Sequence, residues 1–140
     1  MKASLLTLIL VLILPVNLLG FCFEEAGELY GISPLLLWAI AAVESDFDPR
    51  ALNRNPDGSY DFGLMQINSF WAEEIGMRNW LMLGDPCTNI KTGAWILSHC
   101  IKRHGYTWEA VGCYNAQSPQ KRVTYANRVY RKLKELSEGR

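Results

Sequence analysis

Two carboxylates, Glu44 and Asp61, stand 17 residues apart in contrasting surroundings. Glu44 closes the apolar run Leu35–Val43, and Ile40 and Ala41, one turn before it, give its side of a helix an apolar character. A carboxyl held against apolar surface resists ionisation and can deliver a proton near neutral pH. Asp61 follows a stretch rich in Asn, Asp, Pro and Gly, where a carboxylate stays charged. One proton donor and one anion beside a groove are the equipment for cleaving a glycosidic bond. The bland alternatives are a helix-end glutamate pointing at water, awkward beside the negative end of the helix, and a turn aspartate bonding its own backbone.

Other residues could bind a sugar. Gly63-Leu64-Met65-Gln66-Ile67-Asn68 joins a glycine, suited to close backbone approach, to Gln66 and Asn68. Their amides match the donors and acceptors of hydroxyls and acetamides. Tyr114-Asn115 offers a hydroxyl and an amide, with core packing as the alternative for Tyr114. Trp38, Trp71, Trp80, Trp95 and Trp108 are expected mostly in the core, with one or two flooring a sugar groove. Metal chemistry finds little support. Asn53, Asn55, Asp57 and Gly58 resemble the start of a calcium loop, but Leu64 occupies the place of its bidentate glutamate. His99 and His104 are five residues apart on one helix and do not face each other, so both are expected at the surface.

These side chains need a helical frame. Phe23–Tyr30 has helical spacing and stops at Gly31. Ser33-Pro34 opens a second helix, Ser as cap and Pro in the first turn, which runs through the core and carries Glu44 at its end. Residues 46–61 then form a small hairpin or irregular loop around Pro56-Asp57-Gly58. Further helices are expected over Ser69–Ile75, Thr88–His104, Thr107–Asn115 and from Ser118-Pro119 to the end, the last with Val123, Ala126, Tyr130 and Leu133 as its apolar stripe. The fold class is mostly α, one domain, with a polar excursion after the second helix.

With 140 residues the chain suffices for one core, and its 14 basic and 14 acidic residues give no sign of nucleic acid or a generally basic face. Residues 1–20, with Lys2 and the apolar run Leu5–Leu14, read as a secretory signal peptide cleaved near Gly20, although Leu18 sits where a small residue is usual. A retained anchor is the alternative. Phe21 before Cys22 argues against a lipoprotein. Removing Lys2 from the 14 leaves 13 basic residues against 14 acidic ones over 21–140. Export gives Cys22, Cys87, Cys100 and Cys113 an oxidising compartment. Their wide spacing contains no CxxC, so disulfides are favoured over zinc, with three pairings open.

Ala42-Val43-Glu44-Ser45, the segment GLMQIN at 63–68, and Trp108–Ala116 together resemble a soluble, lysozyme-like lytic transglycosylase, over essentially all of 21–140. The pattern is similar to small members that accompany type III secretion, pilus and conjugation systems. The resemblance implies a lysozyme-like domain at 21–140 that cleaves the MurNAc–GlcNAc bond of peptidoglycan and leaves 1,6-anhydro ends. It implies Glu44 as sole acid and base, and Ser45, Met65, Gln66, Asn68, Tyr114, Asn115 and Tyr125 as glycan contacts, Tyr125 facing the glutamate. It also implies the pairs Cys22–Cys87 and Cys100–Cys113. No metal or cofactor is expected, nor any nucleic acid. The expected protein is a monomer in a Gram-negative periplasm, with components of such an apparatus as its protein partners.

Two departures stand out. Gln117 replaces the family's glycine after Tyr-Asn-Ala, and Asp61 has no counterpart in many lytic transglycosylases. The segment from Glu44 to Trp71 also looks like animal-type lysozyme, in which an aspartate matching Asp61 is the second carboxylate. A hydrolytic muramidase using Glu44 and Asp61 therefore stands as an alternative, as does a non-catalytic glycan-binding module.

Overall fold

The computed structural model describes residues 21–139. Seven α-helices, a short 3₁₀ turn and a small antiparallel sheet are found among them. The signal peptide expected at 1–20 lies outside the described residues.

Helix α1, Phe23–Tyr30, stops where Gly31 turns left-handed at φ 65°. Helix α2, Pro34–Ser45, buries Leu36, Leu37 and the run from Ala39 to Ala42 against α1 and two later helices. Pro34 sits in its first turn as expected. Ser33 does not cap it with its side chain, however. The Ser33 N–H donates instead to the Tyr106 hydroxyl at 2.9 Å. Two non-glycine residues at positive φ, Asp46 at 51° and Phe47 at 64°, turn the chain sharply after Glu44. Such conformations are costly and persist only where the surroundings enforce them.

The polar excursion is a sheet ordered β1-β2-β3: Leu52–Arg54, Tyr60–Phe62 and Ile67–Asn68. Asn53 pairs with Asp61, and Asp61 with Asn68. The turn through Pro56-Asp57-Gly58 joins the first two strands as the sequence leads one to expect; the third strand goes beyond that reading.

Helix α3, Trp71–Ile75, begins later than expected, because Asn68 accepts the Phe70 N–H at 2.9 Å and delays its start. Helix α4, Met77–Leu81, and the 3₁₀ turn Met82–Gly84 are additional to the expected helices, although Met77, Trp80 and Leu81 stand at helical spacing. Met77, Leu81 and Met82 are exposed. Helix α5, Pro86–His104, starts two residues earlier than expected, since the Asp85 carboxylate accepts the Thr88 N–H at 2.8 Å. Its face of Ile90, Ala94 and Leu97 is fully buried.

Helices α6, Trp108–Asn115, and α7, Pro119–Glu138, close the core. The apolar stripe expected on α7 needs correction. Val123 and Tyr130 are 57% and 50% exposed, and the buried face is Tyr125, Ala126 and Val129. Helix α7 packs on α6 and α2 together, which turns this arc inward and leaves Val123 and Tyr130 beside exposed Trp108 in a surface groove. The other four tryptophans are partly buried against the core. The histidines also differ from expectation. Both are half-buried: His99 bonds the Trp95 carbonyl through Nδ1 at 2.9 Å, and His104 Nε2 is buried without a partner.

The sulfurs of Cys22 and Cys87, and of Cys100 and Cys113, are paired, with Cα separations of 5.2 and 5.8 Å. The first pair ties the start of α1 to the start of α5. The second ties α5 to α6 just before Tyr114 and Asn115.

Candidate active site

A cleft of about 820 Å³ runs between the sheet and the α6–α7 connection. Glu44 lies in it, carried by the last turn of α2. Asp61, Gln66 and Asn68 line one wall, and Tyr114 and Asn115 the other. Residues distant in sequence thus share one groove, and four of the seven side chains expected to contact glycan lie in it.

Ile40 and Ala41 below Glu44 are fully buried, so the carboxyl sits on apolar ground. Burial pushes its pKa from 4.5 up to about 7, and the negative charge of Asp61 adds to the rise. The Tyr125 hydroxyl, the Arg128 cation and the Asn115 amide favour the ionised form and hold the value back. Tyr125 donates to Glu44 Oε1, and burial together with the Glu44 charge keeps its own pKa well above the ordinary tyrosine value. It therefore remains a neutral donor through the neutral range.

Asp61 stands on β2, not in a turn, and bonds neighbouring side chains rather than its own backbone. Its Oδ1 accepts from Asn68 Nδ2 at 2.8 Å, and its Oδ2 from Asn55 Nδ2 at 3.0 Å. Ser59 lies between the two amides and accepts from both, while its hydroxyl donates to Asp57 at 2.7 Å. The strand register produces this network: Asp61 and Asn68 are cross-strand partners, and Asn55 and Ser59 face each other across the turn.

Three of the residues expected on the cleft surface lie elsewhere. The Met65 side chain is fully buried and packs on Gly93, where an added Cβ would come within 2.7 Å of the Met65 methyl. What Met65 presents is backbone, for its carbonyl accepts the Tyr114 hydroxyl at 2.7 Å. Ser45 donates to the Leu64 carbonyl at 2.9 Å and pins α2 to the GLMQIN segment. Tyr125 is 2% exposed, beneath the cleft rather than on its wall. Gln66 does line the cleft, yet its amide is spent on the fold. Nε2 donates to the carbonyls of Gly63 and Ala51 at 2.9 and 3.3 Å, and Oε1 accepts from Asn53 at 2.6 Å. These bonds hold Gln66 itself at φ 50°.

Asn89 escaped the sequence reading and organises the segment from beneath. Its Oδ1 accepts the Met65 N–H at 2.8 Å, and its Nδ2 donates to the carbonyls of Phe62 and Leu83 at 3.1 and 3.2 Å. Gly63, at φ 79°, leaves room for this amide; any Cβ there would collide with it. The available signal was an asparagine next to Ile90 at four- and eight-residue spacing from buried Gly93 and Leu97. Asp57, Phe70, Trp71, Gln117, Ser118 and Lys121 also line the cleft.

A family model described as the transglycosylase SLT domain matches residues 21–136. Invasion protein IagB of Salmonella typhi is 44% identical over 126 aligned residues, covering 83% of this chain and 79% of that protein. Protein IpgF of Shigella flexneri is 42% identical over 118 residues, covering 79% and 78%. The X polypeptide of Escherichia coli strain K12 is 42% identical over 119 residues, covering 79% and 70%.

Proposed function

This chain belongs to the transglycosylase SLT-domain family, and from that premise we propose that it cuts the MurNAc–GlcNAc β-1,4 bond of peptidoglycan, leaving 1,6-anhydro-MurNAc ends. Family membership makes it a lytic transglycosylase that works on peptidoglycan outside the cytoplasm. The single observation that supports acid-catalysed cleavage of the glycosidic bond is Glu44, a carboxyl raised to about 7 in the cleft.

Protonated Glu44 gives its proton to the glycosidic oxygen as the bond to the anomeric carbon breaks. The positive charge that develops is stabilised by the substrate's own acetamide or by Asp61, whose carboxylate is aimed by the Asn55 and Asn68 amides. Glu44, now a carboxylate, takes the proton of the muramic acid 6-hydroxyl. That oxygen then closes on the anomeric carbon, and no water is consumed. Tyr125 holds the Glu44 carboxyl through this cycle, and Tyr114 fixes the Met65 backbone at the cleft wall.

Mass spectrometry of digested sacculi tests the reaction. Anhydro muropeptides are the expected products. Reducing ends, heavier by one water, would replace this reading with a hydrolytic muramidase that uses Asp61 as second carboxylate. Binding to sacculi without released fragments would indicate a glycan-binding module.

The pH profile gives a second test. Since Glu44 must start protonated, kcat/KM should fall about tenfold per pH unit above an alkaline limb near 7. Tyr125→Phe removes a bond that favours the carboxylate, so that limb should move up by about one unit. An unmoved limb in Tyr125→Phe would show that the hydroxyl does not tune Glu44.

We further propose that residues 1–20 are an export signal and that the domain works in a Gram-negative periplasm. There it opens the wall locally for an envelope-spanning secretion, pilus or conjugation apparatus. The similarity to a protein named for invasion supports that setting.

A further inference from the structure

The charges that line the cleft are unequal. Glu44, Asp57 and Asp61 contribute acidic groups, and Lys121 is the one cation among the described residues on its wall. Lys121 takes part in none of the ion pairs among those residues, which join Lys91 to Glu25, Arg122 to Glu109, Lys132 to Glu135 and Lys134 to Glu138. Its neighbour Arg122 is turned to other partners, reaching Glu109 at 2.7 Å and the Ala116 carbonyl at 3.0 Å. Helix α6 also presses on the Arg122 backbone, where a Cβ at Gly112 would stand 2.6 Å from its carbonyl oxygen. The rim from Ala116 to Lys121 is therefore braced, and the Lys121 N–H donates back to the Ser118 hydroxyl at 3.4 Å. A held rim offers an uncommitted ammonium to whatever fills the groove.

The hydroxyls and acetamides of the sugars carry no charge. The anions of a peptidoglycan strand are the carboxylates of the peptide or, where the peptide has been removed, the lactyl carboxylate it leaves on the muramic acid. A groove carrying only acids would repel that peptide, and a cation at its rim reverses the local sign. Resting on the reading of the cleft as a peptidoglycan groove, we infer that Lys121 is a specificity-determining residue that pairs with a carboxylate of the peptide. Gln117 and Ser118 supply neighbouring amide and hydroxyl groups. The enzyme thereby favours strands whose peptide carboxylate reaches this rim over strands that offer only a neutral amide there.

The pair is solvent-exposed, so its effect is modest and sensitive to salt. At low ionic strength, KM for a peptide-bearing MurNAc–GlcNAc oligosaccharide should be about two- to fivefold below that for the same oligosaccharide with its lactyl carboxyls capped as neutral methylamides. The kcat values should differ little, because the contact does not change during reaction. Lys121→Met should bring the two KM values together. Lys132→Met, which removes the same charge outside the cleft, should preserve the gap. Titration of both oligosaccharides into Glu44→Gln and Glu44→Gln/Lys121→Met reads the same ratio without turnover. Equal affinities before Lys121 is changed, a gap that survives Lys121→Met, or one erased by Lys132→Met would each overturn the inference. Products without anhydro ends would overturn the reaction assignment instead, while the affinity ratio would still decide the role of Lys121.

Discussion

Replacing Glu44 with Gln should lower kcat by about 10²–10⁴-fold while glycan binding is retained. Gln keeps the shape and still accepts the Tyr125 hydroxyl, so the cleft stays formed; only the transferable proton is gone. Release of anhydro muropeptides from sacculi and titration with a glycan oligosaccharide read the two halves separately. Full residual activity in the variant would remove Glu44 from the mechanism. The same change should stabilise the protein at alkaline pH. The folded carboxyl has a pKa of about 7 against an ordinary 4.5, so the folded state favours the protonated form. That contribution is complete below about 4.5 and is lost as pH rises through 7. A shift of this size corresponds to at most about 3 kcal/mol, and Gln suffers no such loss. Urea unfolding at pH 4 and pH 8 should therefore show the variant gaining on wild type as pH rises. A constant difference would mean that the carboxyl is not desolvated in the fold.

Glu44 was legible in the sequence because its surroundings are local. The apolar turn beneath it belongs to the same helix, and periodicity reports that directly. The sites of Asp61 and Asn68 depend on pairings between strands of two or three residues, whose register no pattern in so short a run specifies. The residues 63–68 were recognisable as a unit, but the division of labour within them was not. Met65 serves through its backbone, which depends on Asn89 and Tyr114 arriving from distant helices, and Gln66 serves through bonds to Gly63, Ala51 and Asn53 that hold the loop. The same limit explains Val123 and Tyr130. A stripe on one helix is read against an imagined single neighbour, whereas α7 has two and turns a different arc inward.

The two cysteine pairs should separate stability from activity. Cys22–Cys87 closes a span of 65 residues that includes α2 and the whole sheet, and its removal by the double change to Ser should destabilise by about 4 kcal/mol. Over a domain of this size that corresponds to a fall in Tm of about 15 °C. Below the new Tm its specific activity should match wild type, because the pair lies at the starts of α1 and α5, away from the residues that line the cleft. Helix α1 also keeps the Lys91–Glu25 ion pair at 2.7 Å and its buried Phe23 and Ala26. Cys100–Cys113 closes only 13 residues, and its loss should cost about 3 kcal/mol. Here the expected order reverses. Cys113 immediately precedes Tyr114 and Asn115, so freeing it loosens the end of α6 that sets the Tyr114 bond to Met65 and the Asn115 contribution at Glu44. Activity should then decline with temperature before the global unfolding of that variant, whereas in the Cys22/Cys87 variant the two losses coincide. Calorimetry alongside temperature-dependent turnover measures both. Coincident losses in both variants would show that the α6 segment is held by its packing on α7 and that the shorter bridge contributes stability alone.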